Sequence, residues 1–185
     1  EYNNMVSLLM EGETGTVLQH NGGYEKVAQG TLNKLMTVLL TAEEIESGGL
    51  SINDVVTVSS NANAQTGAVV WLMPGEEITI EELLKSVIIG NANDASVALA
   101  EIVGGNEEEF TRMMNARAFE LGMRNTVFKN PAGYDCAGQY STPYDMALLC
   151  RELLKHEFLY KIMNTWIDRV RGGQTEIVNE NRLVR

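Results

Sequence analysis

A hydroxyl and an amine stand three residues apart in the stretch Gly30-Thr31-Leu32-Asn33-Lys34-Leu35-Met36-Thr37. On an α-helix, residues i and i+3 share a face, so Thr31 Oγ and the Lys34 ammonium can meet without help from distant parts of the chain. Leu32, Leu35, Met36, Leu39 and Leu40 repeat at helical spacing, which predicts a buried amphipathic helix. A lysine beside that stripe is partly desolvated, so its pKa falls and it can act as a base. The layout is that of a hydroxyl nucleophile activated by lysine.

A second informative stretch is Gly90-Asn91-Ala92-Asn93-Asp94-Ala95, in the break between two helical patterns. Two readings stand side by side there. Short polar side chains at such a break project into a cleft, or Asn91 and Asn93 only cap the following helix. The other reactive residue types read as structural. His20 and His156 lie in polar contexts and are expected at the surface, and Ser59 and Ser60 are expected in a loop. Phe110, Met113 and Met114 make an apolar helix face, and Asp145 reads as a residue that stabilises a first turn. Nothing in the pattern supports a metal site or a cofactor.

The elements that must position these residues come from 185 residues, 44% hydrophobic and 21% charged, which suits one globular domain. With 14 Lys and Arg against 25 Asp and Glu, the formal net charge is −11. No basic patch is available to displace condensed counterions, so nucleic acid is not expected as a partner. No apolar run approaches the roughly 20 residues a bilayer span needs. No signal-peptide pattern is read within the sequence, and at Glu1-Tyr2-Asn3-Asn4 the chain is expected to open in mid-strand as a processed or trimmed product does. Cys136 and Cys150 lack C-x-x-C spacing; two buried free thiols are expected, with a single disulfide open if the protein is exported.

Met5 to Met10 and Thr16 to Gln19 flank a glycine-containing loop and read as a β-hairpin. The helix carrying Lys34 ends at Gly48-Gly49, and Leu50 to Thr79 reads as an irregular lobe with small strands. Helical patterns follow at Ile80 to Ile89, Asp94 to Val103 and Glu107 to Leu121 with Asn106 as its N-cap, and Ser141-Thr142-Pro143 opens a last one through Leu154. Trp166 to Val178 returns to strand around Gly172-Gly173. The order strand, helices, strand predicts helices clustered on an antiparallel sheet.

Beyond the first lysine motif, several short motifs occur in a fixed order. They are Lys34-Leu35-Met36-Thr37, Asn93-Asp94-Ala95 with Ala98-Leu99-Ala100-Glu101, Met114-Asn115, Leu121-Gly122-Met123, Asn125-Thr126 and Tyr140-Ser141-Thr142. In that order they resemble the D-alanyl-D-alanine carboxypeptidases, low-molecular-mass penicillin-binding proteins of the serine peptidase type. The resemblance implies an α/β (α+β) fold of the serine β-lactamase and penicillin-binding transpeptidase kind, an antiparallel sheet packed against a helical cluster with the site at their junction. It implies one such domain over residues 1–185, lacking its C-terminal sheet strands. It also implies an activity that trims peptidoglycan stem peptides at D-Ala-D-Ala through an acyl-enzyme, reactivity toward β-lactams, and a place in the bacterial cell envelope. Membrane association would come through segments outside this chain.

By position, the resemblance makes Thr31 the nucleophile, Lys34 its base, Asn91 the occupant of the second motif's serine position, and Asn93 the asparagine that holds the substrate amide. Three departures stand out. Threonine replaces the nucleophilic serine, and its extra methyl crowds Oγ and restricts χ1. Asn91 replaces a hydroxyl that can relay a proton. No Lys-Thr-Gly or Lys-Ser-Gly occurs in the sequence. The alternative is therefore a pseudoenzyme that keeps the cleft for cell-wall peptides or a cell-wall partner. A β-lactamase ranks last, because no class A glutamate loop is found.

Overall fold

In a computed structural model that describes residues 5–184, an antiparallel hairpin of β1 (Ser7–Met10) and β2 (Val17–Asn21) comes first. The expected strand at residues 1–4 lies outside the described residues. A 3₁₀ turn at Gly30–Leu32 leads into helix α1 (Asn33–Glu46). The irregular lobe contains β3 (Val55–Thr57), one helical turn α2 (Ser60–Asn63) and β4 (Glu77–Thr79), which pairs antiparallel with β3. Helices α3 (Ile80–Ile88), α4 (Asn93–Gly104), α5 (Glu107–Glu120), α6 (Pro143–Leu153) and α7 (Leu159–Met163) follow. Strands β5 (Ile167–Val170) and β6 (Thr175–Val178) form the last hairpin. The six described strands pair as three separate two-stranded sheets around the helices.

The helices start where local chemistry places them. Thr79 Oγ1 accepts the Glu82 N–H while the Glu82 carboxylate accepts the Thr79 N–H, a capping box that opens α3. Asn106 caps α5 through the Glu109 N–H. Thr142 caps α6 through the Asp145 N–H, with Pro143 in the first helical position where no N–H is needed. The Asp145 carboxylate reaches further than its own turn and accepts from Asn125 N and Thr126 Oγ1, tying α6 to the 125–126 segment.

Helix α1 is the centre of the core. Every residue from Met36 to Ala42 is buried, and α3, α4, α5 and α6 all pack against it. The helix is buried, as its apolar spacing predicts, and over those residues it is enclosed on all sides. The two threonines in that stretch are satisfied. Thr37 Oγ1 donates to Pro131 O and Thr41 Oγ1 to Thr37 O. Leu32, expected in the buried stripe, sits in the preceding turn and is exposed.

Two further expectations are corrected. Cys136 and Cys150 are free but exposed. His156 is buried, with Nδ1 2.9 Å from Glu46 Oε2, because α6 and the turn after it fold back toward the end of α1. Polar sequence neighbours gave no sign of that packing.

Asp94 organises the loop that precedes α3. Its carboxylate, 1% exposed, accepts from Val70 N, Leu72 N and Ala95 N at 2.9–3.2 Å. Between the two clamped residues Trp71 adopts φ +59 with its side chain largely in solvent. A bulky residue at positive φ is strained and persists only when its surroundings fix it. Arg171 Nη1 and Thr175 Oγ1 hold the Val70 carbonyl from the other side.

Replacing Asp94 with alanine leaves the three buried N–H groups of Val70, Leu72 and Ala95 without that acceptor, each costing about 1–3 kcal/mol. Asp94→Ala is therefore expected to lower unfolding free energy by about 3 kcal/mol or more in urea titration. A loss below about 1 kcal/mol would show that the carboxylate does not hold the loop.

Candidate active site

The first motif straddles two kinds of helix. Thr31 lies in the 3₁₀ turn, exposed, and Lys34 lies in the first turn of α1, only 3% exposed. The turn is possible because Gly30 adopts φ +51, a conformation glycine reaches without Cβ clash. Lys34 Nζ donates to the Ala132 carbonyl at 2.7 Å. Burial lowers its pKa from the ordinary 10.5 to about 8.

That carbonyl belongs to Asn130-Pro131-Ala132-Gly133, whose three successive carbonyls are each taken by a side chain. Asn33 Nδ2 donates to Asn130 O at 2.8 Å, Thr37 Oγ1 and Ser96 Oγ donate to Pro131 O, and Lys34 takes Ala132 O. Asn130 Oδ1 turns the chain back by accepting Gly133 N and Tyr134 N. Gly133 then passes so close to the first motif that a Cβ there would lie 2.0 Å from Gly30 O. At φ +86 the position also favours glycine on conformational grounds. The wall behind Thr31 is built from backbone.

The second motif follows α3. Gly90 N and Ala92 N both donate to Ser86 O, and between them Asn91 takes φ +53. Asparagine is one of the few non-glycine residues that visits this region readily. Neither Asn91 nor Asn93 caps α4: the N-cap is Ala92, and no side chain bonds there. Asn93 instead docks on the 66–68 loop, with N donating to Ala68 O at 2.7 Å and Nδ2 to Thr66 O at 2.6 Å.

Thr31, Lys34 and Asn91 line one cleft of about 400 Å³, together with Leu35, Val38 and Ile88 of its apolar wall. Asn179 and Glu180 line its other side. Asn93, 8% exposed, is not among the lining residues. No hydrogen bond joins Thr31 Oγ to Lys34 Nζ among the described residues, and the Asn91 amide has no partner among them. No group of three or more His, Cys, Asp or Glu suited to a metal ion occurs among the described residues. Lys34 and Glu180 are the charged groups of the lining, and the rest is polar or apolar.

Ala132, Gly133 and Tyr134 were not singled out in the sequence. Asn130-Pro131-Ala132-Gly133 is a turn signal that could have marked the place, but nothing local links it to Lys34.

The lysine has a consequence for stability. The folded pKa lies below the unfolded value, so between about 8 and 10.5 the unfolded chain binds the proton and the folded one does not. Stability therefore rises with pH across that window, and the cost of a buried ammonium is fully present below it. Relative to Lys34→Met, the native protein is expected to gain on the order of 3 kcal/mol between pH 8 and pH 10.5, measured by denaturant unfolding. A flat difference between the two proteins would contradict a desolvated lysine.

Comparison with known proteins identifies the family and the fold. The D-alanyl-D-alanine carboxypeptidase family profile matches residues 2–185. The D-alanyl-D-alanine carboxypeptidase DacF of Bacillus subtilis is 42% identical over 182 residues, covering 97% of this chain and 47% of the relative. DacC of Escherichia coli is 37% identical over 153 residues, covering 80% of this chain and 38% of the relative. The chain thus spans less than half of either. Among solved structures, the carboxypeptidase DacD from Francisella tularensis superposes with a TM-score of 0.90 at 30% identity, over 97% of this chain and 44% of that one. Penicillin-binding protein 5 from Haemophilus influenzae gives 0.91 at 27%, over 97% and 53%. The fold is the mixed α/β fold of those penicillin-binding proteins, and the chain belongs to the D-alanyl-D-alanine carboxypeptidase family.

Proposed function

We propose that this chain carries the nucleophile half of a D-Ala-D-Ala carboxypeptidase site, with Thr31 in place of the usual serine. The observation that carries the reading is Lys34: a buried amine with its pKa lowered to about 8, in one cleft with Thr31 and Asn91. At that pKa a useful fraction is neutral near pH 8 and can accept a proton.

In this reading Thr31 Oγ attacks the carbonyl of the terminal D-Ala-D-Ala bond while its proton passes to neutral Lys34 Nζ. The tetrahedral intermediate collapses, the C–N bond breaks, and the proton goes from Lys34 to the departing D-alanine amine. Water then adds to the threonyl ester, its proton returning to Oγ by way of Lys34, and the shortened peptide leaves. Asn91 lines the cleft as a hydrogen-bonding group, and Asn93, 8% exposed and outside the lining residues, is assigned to the substrate amide by its place in the motif. A β-lactam would enter the same path and stop at the ester. The substrate is a peptidoglycan stem peptide, so the place of action is outside the cytoplasmic membrane. No described helix is long and apolar enough to cross a membrane.

The strand bearing the family's third motif is not among these 185 residues. Its seat in this reading is the open apolar side of the cleft at Leu35, Val38 and Ile88. One observation favours a second reading, a peptide-binding pseudoenzyme: Lys34 donates to Ala132 O and makes no bond to Thr31.

Treating the complete gene product with a fluorescent penicillin separates the two. The expected result is covalent label at Thr31, forming faster as pH rises through about 8 and abolished by Lys34→Ala. An intact protein that takes no label at high concentration, yet still binds a D-Ala-D-Ala peptide, would leave the pseudoenzyme.

A further inference from the structure

One tyrosine joins the two loops that flank the site. Tyr134 Oη accepts the Thr66 N–H at 3.1 Å and donates to the Thr66 carbonyl at 3.0 Å, so a single hydroxyl uses both its capacities on one residue. The same Thr66 carbonyl accepts Asn93 Nδ2 at 2.6 Å. Tyr134 follows Gly133, the residue in close contact with Gly30, and so extends the wall that supplies the acceptor for Lys34.

The direction of the Thr66 carbonyl needs such a brace. Gly67 follows it at φ +85, and a Cβ there would lie 3.1 Å from Asn93 Nδ2. Glycine lets the adjoining peptide rotate at little cost, so the Thr66–Gly67 peptide has little preference of its own. The Tyr134 hydroxyl holds the carbonyl of that peptide and the N–H of the one before it, and so pins Thr66 on both sides of its Cα. With Thr66 O in place, the atom of Asn93 that faces it must be the amide nitrogen. One N–H and the carboxamide oxygen of Asn93 are then left for another amide, and a peptide group offers the complementary C=O and N–H.

We infer that Tyr134 is a positioning residue: through the Thr66 carbonyl it sets the orientation in which Asn93 presents its amide to a peptide ligand. The inference rests on the proposed role of Asn93 toward the substrate amide. Tyr134→Phe removes the hydroxyl and keeps the ring, so the packing of the loop is preserved.

The test uses the complete gene product carrying Thr31→Ala, so that binding is read without turnover, with and without Tyr134→Phe. Two probes are compared. One is an N-acetylated peptide ending in D-Ala-D-Ala; the other carries D-lactate at the penultimate position, which replaces one amide N–H by an ester oxygen. Tyr134→Phe is expected to weaken the amide peptide about tenfold, the size of one hydrogen bond, and to leave the ester analogue nearly unchanged. Hydrogen exchange of the Thr66 amide, followed without ligand, is expected to be slow with tyrosine and fast with phenylalanine. Equal losses for both probes would reduce Tyr134 to a structural residue and overturn the inference. Fast exchange at Thr66 with tyrosine present would overturn it as well. If neither probe binds the tyrosine protein, the peptide reading of the cleft itself fails, and the positioning role fails with it.

Discussion

The site depends on a buried ammonium finding an acceptor. Lys34 is enclosed by the core that makes α1 interior, and its contact is the Ala132 carbonyl. A buried charge without a partner neutralises or unfolds its surroundings, so that carbonyl must be held in place. Asn33, Thr37 and Ser96 fix the neighbouring carbonyls, and Asn130 bends the chain so that all three face the helices. The helix places the amine, burial lowers its proton affinity, and the 130–133 turn supplies its acceptor. Neither part works alone.

The departures from the family motif meet the fold in different ways. In the proposed reading Asn91 takes the place of a hydroxyl, and its backbone is left-handed, a conformation asparagine tolerates. The residue suits the turn even where it does not suit proton relay. Thr31 has no comparable backbone reason: it sits in an open 3₁₀ turn that places no demand on a β-branched side chain. The open side of the cleft is a matter of surface, since its apolar wall comes from α1 and α3, which face the core elsewhere.

Much of the frame was legible in the residues because its determinants are local. Asn106, the Thr142-Pro143 pair and Gly172-Gly173 each act within a few positions of themselves, and the elements they bound were read correctly. Asn93, by contrast, had two local readings, a cap or a group in the cleft. The loop it docks on is 27 residues away in sequence. The Lys34 acceptor is 98 residues away and is a backbone oxygen, which no side-chain pattern encodes. The burial of His156 and the exposure of both cysteines likewise follow from how helices meet, a property of packing that polar or apolar neighbours do not fix.

Trp71 gives the clamp around Asp94 an outward sign. Its indole stands in solvent, while the residues on either side are bonded to a carboxylate at the start of the helix that also carries Asn93. This ring is joined to the second motif by the hydrogen bonds of its two neighbours to that one carboxylate. Of the two indoles in the chain, the one at Trp71 is therefore the one whose footing is shared with the head of α4.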